Sequence, residues 1–353
     1  MLQDSRGFGK IVTNARKGGE LLIHLEKTID SYMDADELRH IALRIGKGEQ
    51  ILYETFRGGV DARTLFDMAS VTKIMATTSL ALLAVDRSLL QIGDPVNKFF
   101  STEKPLTVEH LLTHTMGIGH KPLNGSDCTY ENIAQKILSI PSDVPIGTEV
   151  LYSCPGFILL GKILERVFGM RLDRCFHELV AVPLGLSDSS FLPKERTRAV
   201  NANLAEDRRG VVNDYNCCHL GGVAGNAGLF STLDDVTKYA RFLRERGAPL
   251  ISEHTFMLAA RNYTEKMSVS RGLGFVYVDA RYAQTSGLFA DGAIGHCGHT
   301  GQSVFVDYRT GFYVIILTDS TVSGERKYGV GNYGAVMQMR SRLHAAIKHE
   351  LKM

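Results

Sequence analysis

The sequence predicts an α+β fold: an antiparallel sheet built from both ends of the chain, flanked by helices, with a helical subdomain inserted between its halves. Three observations point there. A helical stripe followed by hairpin-like alternation opens the chain, a hairpin followed by a helical stripe closes it, and helical spacing with Gly/Pro-rich connections fills the middle.

Within residues 20–33, Leu21, Leu22, Leu25 and Ile29 recur at helical spacing and predict an amphipathic helix. Ile41, Leu43 and Ile45 then alternate with Ala42 and Arg44, and Ile51-Leu52-Tyr53 resumes the β pattern. Gly46-Lys47-Gly48 supplies turn chemistry between them, which predicts a hairpin. From Ser70 to about Gln91 the spacing is helical until Gly93-Asp94-Pro95 breaks it. Leu111-Leu112, 133–138 and 157–167 are shorter helical candidates. Thr232 with Asp235 resembles a capping box, opening a helix through Tyr239 and Leu243 that Gly247 and Pro249 stop. Residues 273–278, 303–307 and 312–317 read as strands, the last two joined by a turn at 308–311. Val336, Leu343, Ile347 and Leu351 mark one side of a final helix. The sheet part is thus expected at 1–66 and 233–353, the mainly helical part at 67–232, and a site in the cleft between them.

The chain has 353 residues, 44% of them hydrophobic, enough to bury a substantial core. Lys and Arg number 40 against 38 Asp and Glu, a net charge of +2 that favours neither nucleic acid nor an anionic membrane as partner. A small molecule is the expected partner, and the sequence does not specify the oligomeric state. Residues 1–17 lack the apolar stretch of about 7–15 residues that a secretory signal needs, so a cytoplasmic location is expected. The weakly polar stretch 74–85 falls short of the roughly 20 residues of a spanning helix, so no membrane span is expected. The cysteines Cys128, Cys154, Cys175, Cys217, Cys218 and Cys297 form no Cys-x-x-Cys pair and read as free thiols.

Three segments carry chemistry. Ser70-Val71-Thr72-Lys73 lies where a loop meets a helix, so the two side chains share a face with Cβ atoms about 5–6 Å apart. A serine hydroxyl needs a base to become a nucleophile, and a lysine serves as one when burial lowers its pKa. The apolar neighbours Phe66, Met68, Ala69, Ile74, Met75, Ala76 and Leu80 predict that burial. Tyr152-Ser153-Cys154 follows a turn-rich approach and precedes a helix; a tyrosine there, its pKa lowered by an ammonium, can relay a proton. Gly298-His299-Thr300-Gly301 precedes a strand whose edge a substrate could approach, with the Gln302 amide as donor to its carbonyl.

In this order the three segments resemble the serine β-lactamase and penicillin-binding protein superfamily, especially its class C-like and esterase-like branch. Asp94-Pro95-Val96, the run 107–119 (TVEHLLTHTMGIG), Pro183-Leu184-Gly185-Leu186 and the run 221–232 (GGVAGNAGLFST) look like family stretches too. The resemblance implies a β-lactamase/transpeptidase-like fold, Ser70 as acylated nucleophile, Lys73 as its activating partner and Tyr152 as proton carrier. It implies His299 as the basic residue of the third motif, with Thr300 and Gly301 beside the substrate, and the amides of Ser70 and Gln302 as the oxyanion hole. Cys154 stands where many members have asparagine, and its thiol cannot replace that amide in holding an acylamide. His299 stands in place of lysine and offers a pH-dependent charge. Both changes align with esterases and peptidases of the family more than with its lactamases.

The expected activity is hydrolysis of an ester, amide or peptide through a Ser70 acyl-enzyme, with no metal or organic cofactor. The alternatives are a D-amino-acid-specific peptidase or amidase, a weak β-lactamase, or an inactive homologue that binds a ligand or serves as a scaffold. His110, His114 and His120 lack a nearby carboxylate to complete a metal site. The run 221–228 lacks the Gly-Lys-Ser/Thr ending of a nucleotide loop, and no Gly-x-Ser-x-Gly elbow is present.

Overall fold

Strands β1 (Ile41–Lys47) and β2 (Gln50–Arg57) pair antiparallel, from Ile41 opposite Arg57 to Lys47 opposite Gln50. A computed structural model describes residues 22–123, 125–201, 207–319 and 333–353 of the chain. The hairpin turn is Gly48-Glu49, and Gly46-Lys47 lies inside β1, against the expected turn at 46–48. Tyr313 on the neighbouring strand explains the glycine: a Cβ on Gly46 would stand 2.2 Å from its ring. A bulge between Ile45 and Gly46 absorbs the irregularity.

The main sheet has the order β2-β1-β9-β8-β7-β6, all antiparallel, with β6 (Val276–Tyr277), β7 (Ile294–Cys297), β8 (Ser303–Asp307) and β9 (Phe312–Thr318). A second sheet, β3-β5-β4, joins β3 (Phe66–Asp67), β4 (Ser190–Phe191) and β5 (Leu229–Ser231). The expected strand at 273–278 shrinks to β6 because Gly272 N–H donates to Phe275 C=O and closes a tight turn through the left-handed Gly274.

Period-two alternation assigns each strand residue to a layer. Ile41, Leu43, Ile45, Val314 and Ile316 face α1 (Ile23–Asp34) and the C-terminal helix Tyr333–Leu351, through Leu25, Ile29, Leu343 and Ile347. Ala42, Tyr313, Ile315 and Leu317 point the other way, into the larger core shared with the helices. Covering both faces explains why Phe312–Thr318 is buried along its whole length, where a half-exposed strand would alternate. Arg44, the one charged residue on the inner face of β1, is buried and paired to Glu54 and to Asp234, which opens the helix Leu233–Arg244. The Thr232 hydroxyl caps that helix by accepting from Asp235 N–H at 3.3 Å.

The helical stretch after Ser70 is less regular than its spacing suggests. A 3-10 turn at Ala69–Val71 passes into a π-turn at Lys73–Thr78 and then into α2 (Ser79–Asp86). The Ile74 carbonyl accepts from the Ser79 hydroxyl at 3.0 Å and the Tyr239 hydroxyl at 2.8 Å, side-chain donors of the kind that widen a helical turn. The helix stops at Asp86, short of Gln91, where Ser88 turns left-handed. Among the described residues one helical stretch, Ala69–Asp86, is long and apolar enough to cross a membrane by composition, and 83% of it is buried in the core. Also in the helical part are α3 (Val108–Leu112), α4 (Ile133–Ser139) and α5 (Cys154–Phe168).

Candidate active site

Strand β3 delivers the chain to Ser70 through Ala69, which is left-handed at φ 44°. Asp67 holds this turn. Its carboxylate accepts from Ala69 N–H at 2.8 Å and from Asn213 N–H at 2.7 Å, and its carbonyl accepts from the Gln302 amide at 2.6 Å. Burial pushes the Asp67 carboxyl up from 3.8 to about 6. Protonated Asp67 therefore contributes stability that is fully present below the unfolded value and is lost as pH rises through about 6. Asp67→Asn is expected to flatten the dependence of Tm on pH across that window; an unchanged slope in thermal melts would show that Asp67 titrates normally.

Lys73 is fully buried, and its ammonium donates to Ser70 Oγ at 3.0 Å, Asn226 C=O at 2.9 Å and Cys154 Sγ at 3.6 Å. Tyr152 donates its hydroxyl to Ser70 Oγ at 2.6 Å, and Lys73 Nζ lies 5.0 Å from the centre of its ring. The structure thus brings Ser70, Lys73, Tyr152 and Cys154 together. Tyr152 is held by His114: Leu151 N–H donates to the His114 carbonyl at 2.9 Å, Ser153 N–H to His114 Nδ1 at 3.0 Å, and the two rings lie 4.7 Å apart. His110, four residues before His114, caps α3 with Thr107. Ser153 caps α5 by accepting from Gly156 N–H, which sets Cys154 on the first turn of that helix.

The charge states differ from those expected of an isolated lysine and tyrosine. Burial alone would lower the Lys73 pKa, but Cys154 and Tyr152 outweigh it and hold the ammonium above its ordinary value. Burial raises Tyr152 despite Lys73, so the phenol keeps its proton. Burial would also raise Cys154, but Lys73 and His120 pull the thiol below its ordinary value. Of the three groups, the sulfur is the one whose acidity its neighbours raise.

Around the third segment, the histidine whose ring lies beside Tyr152 is His296. His296 on β7 lies beside Tyr152, with ring centres 6.2 Å apart, whereas His299 is exposed, with Asp214, Arg340 and His120 as its charged neighbours. His296-Cys297-Gly298 has the same His-x-Gly spacing as His299-Thr300-Gly301. His296 Nδ1 donates to the Cys297 carbonyl at 2.8 Å, which leaves Nε2 as the acceptor. Burial, with Arg271 and Lys73 close by, keeps the ring neutral well below its ordinary pKa. Thr300 and Gln302 are buried and face inward: the Thr300 hydroxyl donates to Gln302 Oε1 at 2.6 Å, and Gln302 Nε2 donates to the carbonyls of Asp67 and Thr318. Gln302 is fully covered in this structure, with its side-chain amide engaged by these two carbonyls. Gly301 is buried with φ 104° and shapes the turn between β7 and β8. Gly298 packs against the Ser70 turn, where an added Cβ would stand 3.0 Å from the Met68 carbonyl.

Sequence reasoning missed Asp67, Asn226 and His296 as parts of this cluster, and took His114 only as a metal candidate. A strand assignment for 294–297 would have found His296. All six cysteines are free. Among the described residues no three His, Cys, Asp or Glu side chains are grouped to hold a metal ion.

Residues 25–333 match the Beta-lactamase family. The chain belongs to that family. Among similar proteins is Esterase EstB of Burkholderia gladioli, 26% identical over 367 residues that cover 86% of this chain and 92% of that protein. Another is a putative D-alanyl-D-alanine carboxypeptidase of Escherichia coli, 25% identical over 301 residues, 72% of this chain and 69% of that protein. The solved structure of EstCE1, a hydrolase with promiscuous acyltransferase activity, superposes with a TM-score of 0.70 at 21% identity, covering 92% of this chain and 98% of that one. This likeness shows the fold, an α+β arrangement of β-lactamase/transpeptidase type. As a Beta-lactamase family member with esterase and carboxypeptidase relatives, the protein is a serine hydrolase related to esterases and β-lactamases. That class acts on small-molecule esters or amides.

Proposed function

We propose that the protein hydrolyses a small ester through an acyl-enzyme on Ser70, with Lys73, Tyr152 and His296 around the reacting atoms. The observation that carries this reading is the double hydrogen bond to Ser70 Oγ, from Tyr152 at 2.6 Å and Lys73 at 3.0 Å. Hydrogen bonds of this length allow proton transfer as Ser70 attacks the carbonyl. The Ser70 amide, at the start of a helical turn, is one oxyanion donor, and the second comes from the chain just beyond His296. The substrate lies in the cleft between the sheet part, 1–66 and 233–353, and the helical part, 67–232. Esters are favoured over β-lactams because Cys154 offers no amide to a substrate's acylamide group and is itself engaged with Lys73.

Peptide or amide substrates ending in a carboxylate form a second reading. It is favoured by Arg271, a buried guanidinium 5.9 Å from the Tyr152 ring. Intact mass after incubation with p-nitrophenyl esters, D-aminoacyl anilides and a β-lactam tests both. An acyl adduct that maps to Ser70 from the ester is expected; an adduct only from the anilide would favour the second reading, and adducts at another residue would overturn both.

A further inference from the structure

Cys154 is the residue in this cluster whose chemistry the hydrolytic reading leaves unused. It is 3% exposed, its Sγ receives a hydrogen bond from Lys73 at 3.6 Å, and the His120 side chain is hydrogen-bonded to it as well. Lys73 uses all three of its protons on acceptors, Ser70 Oγ, the Asn226 carbonyl and the Cys154 sulfur. An ammonium so placed has no lone pair with which to take the Ser70 proton. It can do so only by handing one of its own protons on, and sulfur is the one ionisable acceptor among the three.

We propose that Cys154 is a positioning residue of the hydrolytic reaction: its thiolate, held between the Lys73 ammonium and the His120 imidazole, receives the proton that Lys73 passes on when Ser70 attacks. The proposal rests on the acyl-serine reading. In the attack the Ser70 O–H bond breaks as an N–H bond forms on Lys73. A different N–H bond of Lys73 breaks as the Cys154 S–H bond forms. Lys73 stays an ammonium, and the negative charge moves from sulfur to the oxygen that becomes bonded to the acyl carbon. On collapse, Tyr152 gives its proton to the leaving group and regains the one that Lys73 had directed at Ser70 Oγ, while Lys73 takes a proton back from Cys154.

The groups facing the sulfur agree with this assignment. Lys73 from the π-turn and His120 from the loop after α3 favour the thiolate; Asp214, which caps the helix Tyr215–His219, opposes it. Asp214 is tied to Cys217 N–H at 2.8 Å and to the Asn226 side chain at 3.0 Å, so part of its charge is already engaged. The first turn of α5 adds the positive end of its dipole.

The test compares wild type with Cys154→Ser and Cys154→Asp. Ultraviolet thiolate absorbance at about pH 7 is expected to be larger in wild type than in Cys154→Ser by one thiolate. Cys154→Ser is expected to lose about 10- to 100-fold in kcat on a p-nitrophenyl ester and to lose the acid limb of its pH profile. Cys154→Asp, which restores the charge, recovers a large part of the rate. Equal absorbance, or a Cys154→Ser enzyme with the wild-type pH profile, would overturn the proposal. Absence of fluorophosphonate labelling at Ser70 in wild type would instead overturn the acyl-serine reading, and the absorbance comparison does not depend on turnover.

Discussion

Ser70→Ala is expected to lower kcat/KM for an activated ester by on the order of 10⁴- to 10⁶-fold, the scale seen when the nucleophile of an acyl-transfer site is removed. The reason is that no neighbour can replace it. Lys73 and Tyr152 both direct their polar atoms at Ser70 Oγ, and Cys154, the other nucleophile in the cluster, is nearly covered. Removing one hydroxyl from a half-buried position should leave Tm close to wild type, because Lys73 keeps the Asn226 carbonyl and Cys154 as partners. Steady-state kinetics with thermal melts check both halves. A folded Ser70→Ala protein with more than a few per cent of wild-type turnover would remove Ser70 from the nucleophile's role.

Lys73→Met is expected to lower kcat by about 10³-fold or more while leaving stability unchanged or raised. Loss of rate follows from breaking the one link between the Ser70 hydroxyl and the sulfur that stores its proton. Stability is a separate question, because Lys73 sits fully buried beside Phe157, with its ammonium 5.6 Å from that ring. Replacing a buried charge by an apolar chain of similar length is often neutral or favourable when its partner can also become neutral. Cys154 can do so by taking a proton, and the Asn226 carbonyl is then the one polar group left without its donor. A drop in Tm of many degrees together with lost activity would show that Lys73 holds the fold and would weaken the case for its chemical role.

Much of the sheet was legible in the chain itself. Residues 41–53 alternate as a hairpin should, and the apolar run at 312–317 reads as a strand covered on both sides. The turn lies beyond 46–47 because Gly46 carries turn chemistry in its composition but serves a packing need set by Tyr313, far away at the other end of the chain. Ser70 and Lys73 were legible because three residues of helical rise bring two side chains together locally. Tyr152 needed the order of the other segments as well, since no local rule connects it to Ser70.

The third segment shows where spacing stops informing. His296-Cys297-Gly298 and His299-Thr300-Gly301 satisfy one pattern three residues apart, and they differ only in where β7 ends. That end is decided by pairing with β8, in which Cys297 faces Ser303 and Gly298 N–H donates to the Gln302 carbonyl at 2.8 Å. Strand register is a cooperative outcome of two chains of side chains packing at once, so a motif read along one of them cannot settle it.

By itself the sequence determined the α+β class, the hairpins towards either end of the chain and the local Ser70–Lys73 pair, because each follows from periodicity within one short segment. Only the tertiary structure decided that His296, not His299, meets Tyr152, and that Lys73 and Cys154 meet and shift each other's acidity. Those outcomes depend on burial and on charges contributed from segments far apart in the chain, and neither quantity exists until the segments have packed together.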